Sequence, residues 1–250
     1  MKSRALITGA STGIGYAYAK HLSKKGWILD LISENAERSI KSKDALNYPD
    51  AKFYLADLSK KSSIKEIISN YETPDLIVAN AGIAVNGVIG SLTEVEKENA
   101  YYLMCGGVID LIEGFAPRMI QRGTGRIVII SSIGAISAMP KSSIYSSIKA
   151  GVYAYGKSIY AETKEKGISV TISMPGYVKT QTHKRAGLEH LKKKIPSWMW
   201  LTPEKVVKET ENASKRRKLE IVPGRIYKIT KPFLGYENVI NIWQNLTKRK

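Results

Sequence analysis

The sequence predicts one α/β domain: a doubly wound, mostly parallel, seven-stranded sheet with helices on both faces. Three observations carry this expectation. Short β-branched runs alternate with longer amphipathic stretches, the pattern of strand–helix–strand units with parallel neighbours. A glycine-rich turn stands at the first strand-to-helix junction. The chain has 250 residues, of which 43% are hydrophobic and 24% charged, enough for one large core. That balance excludes disorder and collagen-like repeats, and a single cysteine excludes a disulfide scaffold.

Taken in order, the apolar run Ala5–Thr8 predicts the first strand and Gly13–Lys24 the helix after it. Ile28–Ile32 and Lys52–Leu55 are the next strands, separated by a short helix over Ala36–Leu46. A helix over Ser62–Ser69 leads to a strand at Leu76–Asn80, and one long helix then covers Glu94–Gln121. Ile127–Ser131 and Ser169–Met174 are strands on either side of a helix at Ser143–Lys166. A helix over Pro203–Lys215 precedes a weaker seventh strand at Glu220–Val222. The stretch from about Gly176 to Leu201 is the longest that resists assignment, and no repeat or low-complexity block interrupts the chain. Residues 1–225 are read as the domain, with 176–201 as its substrate loop and 226–250 as a basic amphipathic tail.

Charge is concentrated at one end. Of the formal net +17, +11 falls in residues 181–250, where 17 Lys and Arg face 6 Asp and Glu. Such a field attracts an anion, whether a phosphorylated substrate, an acidic carrier or a lipid headgroup surface. Nucleic acid is not expected as a partner, because no recognition module accompanies the cations. Met1-Lys2-Ser3-Arg4 runs straight into the first strand and leaves no room for a signal peptide, so a cytoplasmic location is expected. Cys105 sits in an apolar setting that suits a packed thiol, and no metal-ligand spacing can be built from it.

In open parallel sheets ligands bind beyond the carboxyl ends of the strands. The first strand ends in Thr8-Gly9-Ala10-Ser11-Thr12-Gly13-Ile14-Gly15. Glycines at that turn let the backbone bend tightly and approach a pyrophosphate, whose charge the helix amino terminus meets. Asn80-Ala81-Gly82 closes the fourth strand, Ser131-Ser132 closes the fifth, and Tyr145-Ser146-Ser147-Ile148-Lys149 opens a helix. Tyr145 and Lys149 stand at i and i+4, on one helix face. A lysine there favours the phenolate and brings the tyrosine hydroxyl towards proton exchange with an alcohol or carbonyl.

Together these pieces resemble the short-chain dehydrogenase/reductase family over nearly the whole chain up to about Val222. The motifs appear in the family's order: the glycine turn, Asp57, Asn80-Ala81-Gly82, Ser132, Tyr145 with Lys149, and Pro175-Gly176. The resemblance implies a Rossmann fold and an NAD(P)-dependent oxidoreductase. Tyr145 would be its acid/base, Ser132 would polarise the substrate oxygen, and Lys149 would hold the nicotinamide ribose and depress the tyrosine pKa. Gly9, Ser11, Gly13, Ile14 and Gly15 would form the pyrophosphate turn. Ser33 would meet the adenosine ribose, Asp57 the adenine, and Asn80, Ala81 and Gly82 the adenosine side. Pro175, Gly176, Val178 and Thr180 would contact the nicotinamide. The resemblance also implies a small-molecule alcohol or carbonyl substrate and a homodimer or homotetramer built on the long helices.

Two positions depart from the family pattern. Its helical Asn falls here on Met104, whose thioether cannot anchor the ordered water of the proton path, and Asn99 would lie on another helix face. At the end of the second strand the family's NAD-selecting acid is replaced by Ser33, and Glu34 stands where Arg would mark NADP. A carboxylate so close repels a phosphate unless it turns outward and Arg38 or Lys41 reaches in, so the reading leans slightly to NAD. The substrate loop mixes His183-Lys184-Arg185 and Lys192-Lys193-Lys194 with Trp198-Met199-Trp200, which suits an anionic or a lipid-like substrate. In the tail, Pro223-Gly224-Arg225 reads as a turn. Tyr236, Val239, Ile240, Trp243 and Leu246 then make one apolar helix face, suited to capping the domain, to a dimer or to docking on an anionic membrane. A catalytically weak scaffold that binds the cofactor is the alternative to an active enzyme.

Overall fold

The inner strands of the central sheet are buried and mostly apolar because helices cover both of its faces. The computed structural model describes residues 2–137, 140–181 and 195–234. Strands β1 (Arg4–Thr8), β2 (Ile28–Ser33), β3 (Ala51–Leu55), β4 (Leu76–Ala79), β5 (Gly125–Ile130), β6 (Ile168–Ser173) and β7 (Glu220–Ile221) form one sheet in the order β3-β2-β1-β4-β5-β6-β7. Every ladder in it is parallel. Helices α1 (Gly13–Ser23), α2 (Ala36–Leu46), α3 (Lys61–Asn70), α4 (Glu94–Tyr101), α5 (Gly107–Arg122), α6 (Ser143–Thr163), α7 (Pro203–Lys215) and α8 (Arg225–Thr230) complete the described elements.

Side chains alternate across the sheet, as the two-residue period of a strand requires. Ile7, Leu29, Leu31, Val78 and Val128 pack with Tyr18 and Leu22 of α1 and Val207 of α7. Leu6, Ile77, Ile127, Ile129 and Val170 pack on the opposite face with Ile64, Leu111, Phe115 and Val152, from α3, α5 and α6. Strand order reverses between β1 and β4, so the ends of these two strands diverge and open the crevice where ligands bind in such sheets.

Local signals fix the helix ends. Asn35 caps α2 by accepting a hydrogen bond from the Arg38 amide at 2.8 Å. Thr93 and Glu96 form a reciprocal capping box at the start of α4. Thr202 caps α7, which has Pro203 in its first turn.

The expected single helix over Glu94–Gln121 is corrected by the structure, because α4 and α5 are joined through a π turn at Tyr102–Gly106. Two glycines accommodate the wider turn. A Cβ on Gly106 would sit 3.0 Å from the Tyr102 ring, and one on Gly107 would sit 2.9 Å from the Tyr102 carbonyl oxygen. The expected turn at Pro223–Arg225 is shorter than read: Gly224, at φ +90°, already caps α8, which starts at Arg225.

Residues 226–234 pack onto the domain. Tyr227 is fully buried and donates to the Met199 carbonyl at 2.6 Å, and Leu234 is fully buried as well. His183-Lys184-Arg185, Lys192-Lys193-Lys194 and the apolar positions Tyr236, Val239, Ile240, Trp243 and Leu246 lie outside the described residues.

Candidate active site

The β1–α1 turn and the β4 end are locked together by hydrogen bonds. Thr8 Oγ1 accepts from the Asn80 and Ala81 amides, each at 2.9 Å, and Asn80 Nδ2 donates to the Thr8 carbonyl at 2.9 Å. This approach leaves no room for side chains on the glycines. Gly9 adopts φ +64°, and a Cβ there would stand 2.8 Å from Ala81 Cα. A Cβ on Gly15 would stand 2.3 Å from the Gly9 carbonyl oxygen. Gly9, Ser11, Gly13 and Ile14 border the cleft, whereas Gly15 is absent from its wall and packs against the turn. The first turn of α1 has neither an acidic residue nor a side-chain cap from Thr12. Its amides and dipole are therefore suited to an anion.

On the β2–β3 side, Ser33 Oγ donates to Ser11 Oγ at 2.8 Å, and Ser42 Oγ donates to the Ser11 carbonyl at 2.6 Å. Three serines thus tie α2 and β2 to the glycine turn. Asp57 also borders the cleft. Its carboxylate accepts from the Ser59 hydroxyl at 2.6 Å and the Ser59 amide at 3.0 Å, and these bonds hold its pKa below the ordinary value.

Across the crevice, α6 and the end of β5 bring Ser132, Tyr145 and Lys149 to the same cleft. Ser132 Oγ accepts the Gly134 amide at 3.0 Å, which leaves its own proton to donate. A Cβ on Gly134 would lie 3.4 Å from Ser132 Oγ and 3.5 Å from Tyr145 Cε1, so both side chains converge beside this glycine. Lys149 is buried, with Nζ 6.0 Å from the Tyr145 ring centroid and donating to the Ile130 carbonyl at 3.0 Å. Burial lowers its pKa to about 8. The backbone of Lys149 is held from below, where its carbonyl accepts from Ser131 Oγ at 3.0 Å. Burial pushes the Cys105 thiol up, as expected of a packed thiol.

The remaining walls come from Asn80, Ala81 and Gly82 after β4, and from Pro175, Gly176, Val178 and Thr180 after β6. Met104 fills the space under Gly82, its Sδ 3.2 Å from where a Gly82 Cβ would be. Asn99 also borders the cleft, contrary to the expectation of another helix face. The intervening π turn is the physical reason: at more than four residues per turn, positions five apart come closer to one face than in an α-helix. Ser146, Tyr177 and Leu234 are among the cleft residues beyond the motifs. Ser146 follows Tyr145 in sequence and could have been found there, whereas Leu234 is brought back by α8 and had no local signal.

The bordering residues surround one cleft of about 730 Å³. No group of three or more His, Cys, Asp or Glu able to hold a metal occurs among the described residues. A family model described as short chain dehydrogenase matches residues 3–190. The chain belongs to the short-chain dehydrogenase family.

This short-chain dehydrogenase is 31% identical to a 3-oxoacyl-acyl-carrier-protein reductase of Staphylococcus aureus over 186 residues, 71% of this chain and 75% of that protein. It is also 31% identical to nodulation protein G of Azospirillum brasilense, over 70% of this chain and 74% of that one. Its fold matches that of a short-chain dehydrogenase from Sphingobium yanoikuyae, solved in complex with NADPH, with a TM-score of 0.81. That match has 24% identity and covers 99% of this chain and 96% of the other. No helix of the described residues is long and apolar enough to cross a membrane.

Proposed function

We propose that this short-chain dehydrogenase interconverts an alcohol and a carbonyl using a nicotinamide cofactor, with Tyr145 as the proton-exchanging group. The observation that carries the reading is the convergence of Ser132 and Tyr145 beside Gly134, with buried Lys149 behind them, in the cleft that begins at the glycine turn. The cleft fits a dinucleotide on its own features: bare backbone at Gly9, an uncapped α1 amino terminus, and walls running from Ser33 to Thr180. Gly9, Ser11, Gly13 and Ile14 would hold the pyrophosphate, Ser33 and Asp57 the adenosine, and Lys149, Pro175, Gly176, Val178 and Thr180 the nicotinamide end. A bound nicotinamide supplies or accepts the hydride.

Tyr145 gives its hydroxyl proton to the carbonyl oxygen as that oxygen becomes an alcohol, or takes it back in the oxidative direction. Ser132 donates its free proton to the same oxygen and holds it in place. Lys149 places a positive charge behind the tyrosine ring and favours loss of the phenolic proton. An assembled Ser–Tyr–Lys arrangement favours an active enzyme over a scaffold. Glu34, Arg38, Asp57 and Lys149 are the charged residues bordering the described cleft, and none of them belongs to its outer substrate wall of Val85, Leu103, Tyr177 and Leu234. The described wall therefore suits an uncharged reacting end. Assembly as a homodimer or homotetramer through α4, α5 and α6 belongs to the same reading. It is supported by Val95 and Tyr101, which are exposed on α4.

The test is Tyr145→Phe assayed with a panel of alcohols and ketones. Turnover is expected to fall by about 100-fold or more while nucleotide binding persists. Unchanged turnover would overturn the assignment.

A further inference from the structure

The end of the sheet opposite the cleft carries charge that the mechanism does not use. Every ladder is parallel, so the segments that lead into β2, β6 and β7 all lie at this one end. Lys24 and Lys25 lead into β2, Lys164 and Lys166 into β6, and the run Lys215-Arg216-Arg217-Lys218 into β7. All eight residues are exposed, and none makes an ion pair among the described residues. The single acid within these segments is Glu165, which is exposed as well. Elsewhere at the same end the cations are neutralised, Lys2 by Asp50 at 2.7 Å and Arg122 by Asp75 at 3.2 Å. The three segments adjoin one another. Arg217 donates to the Gly167 carbonyl at 2.9 Å, and burial together with the Lys215 ammonium beside it lowers the Lys25 pKa.

We propose that this end of the domain docks on an anionic membrane surface and holds the cleft on the far side, open to water. Like charges crowded together repel until a counter-charge covers them. A layer of anionic headgroups supplies that charge across the whole end at once, and each lysine or arginine near it adds to the attraction. Six of the eight cations are lysines, compact charges on flexible stems that suit a diffuse headgroup layer, whereas arginine forks suit a single fixed phosphate. Among the described residues, no exposed large apolar side chain stands in these segments, so charge alone carries the binding and nothing enters the hydrocarbon. The same lack of an exposed aromatic leaves no platform on which a nucleic-acid base could stack. Helix α1 fixes the orientation, because it starts at the glycine turn beside the cleft and ends at Ser23, next to Lys24. The exposed Ile229 and Phe233 follow the carboxyl end of β7, on the cleft side, and belong to a different surface. Substrate therefore reaches the cleft from water while the chain is held at the membrane.

The experiment is sedimentation of the full chain with vesicles of phosphatidylcholine alone and of phosphatidylcholine with about one-third phosphatidylglycerol. The wild type is expected to bind the anionic vesicles at least about 30-fold more tightly than the neutral ones, and to leave them as salt rises from about 0.1 M to about 0.5 M. A variant carrying Lys24→Gln, Lys25→Gln, Lys215→Gln and Arg216→Gln should bind the anionic vesicles about 100-fold more weakly. Thermal melts check that it folds. A smaller variant, Lys164→Gln with Lys166→Gln, should lose about 10-fold and disturbs only exposed side chains. Trp198→Ser with Phe233→Ser, on the other surface, should bind as the wild type does. Equal binding to the two vesicles, binding to neither, or wild-type binding by either folded lysine variant would overturn the inference. So would loss of binding in the Trp198 and Phe233 variant, or tighter binding to a duplex DNA fragment than to the anionic vesicles.

Discussion

Replacing Lys149 by Met should make the ligand-free protein more stable while removing its activity. The ammonium is buried against β5, and its pKa falls from 10.5 to about 8 because burial disfavours the charged form. At about 1.4 kcal/mol per pH unit, holding that charge in the folded state costs about 3 kcal/mol at neutral pH. Methionine keeps the length of the stem and discards the charge. It also removes the 3.0 Å bond to the Ile130 carbonyl, a loss of about 1 kcal/mol. The net gain is about 2 kcal/mol, or about 4–8 °C in melting temperature for a chain of this size.

The sign of the pH dependence follows from the lowered value. Below about pH 8 the lysine is charged in both states and the folded protein bears the full cost. As pH rises from there towards 10.5, the folded state has already released its proton and the unfolded chain follows, so the cost disappears. The variant's advantage is thus complete at pH 7 and gone near pH 11. Thermal melts of both proteins across that range are the assay. A melting temperature at pH 7 that is unchanged or lower in Lys149→Met, or a gain of equal size at pH 11, would refute the reasoning.

Two further perturbations probe the scaffold beneath the site. Gly15→Ala would set a methyl 2.3 Å from the Gly9 carbonyl and 2.6 Å from Asn80 Nδ2, neither of which can withdraw without moving the turn. We expect a loss of about 1–3 kcal/mol in denaturant unfolding and at least about a tenfold weakening of dinucleotide binding; wild-type affinity would contradict this role for the turn. Glu211→Ala breaks the 2.8 Å pair with Arg126 that joins α7 to β5, at a site where Glu211 is only 1% exposed. Leaving the arginine uncompensated should cost about 3 kcal/mol in urea unfolding, and a change under about 1 kcal/mol would show that solvent supports Arg126.

Much of this molecule is legible locally. The Ala36–Leu46 and Pro203–Lys215 helices begin and end where the sequence places them, because Asn35 and Thr202 cap their amino termini. Strand ends move by a residue or two, as at β5, which begins at Gly125 because it pairs with β6 at Ile168 and not because of its own composition. The Glu94–Gln121 stretch shows the opposite case. Its apolar spacing reads as one helix, yet a π turn interrupts it where the Tyr102 ring lies close to Gly106 and Gly107.

By itself, the sequence determined the alternation of strands and helices, the glycine turn and the Ser132, Tyr145 and Lys149 set. Hydrophobic period and short-range spacing are properties of neighbouring residues. Only the tertiary structure decided that Ser132 and Tyr145 meet beside Gly134, that Asn99 turns to the cleft, and that Arg38 borders it. It also brought Leu234 back to the cleft wall from a segment distant in sequence, with Tyr227 buried behind it in the same region. Each of these depends on packing between segments distant in sequence, where the burial of one group is set by the shape of another.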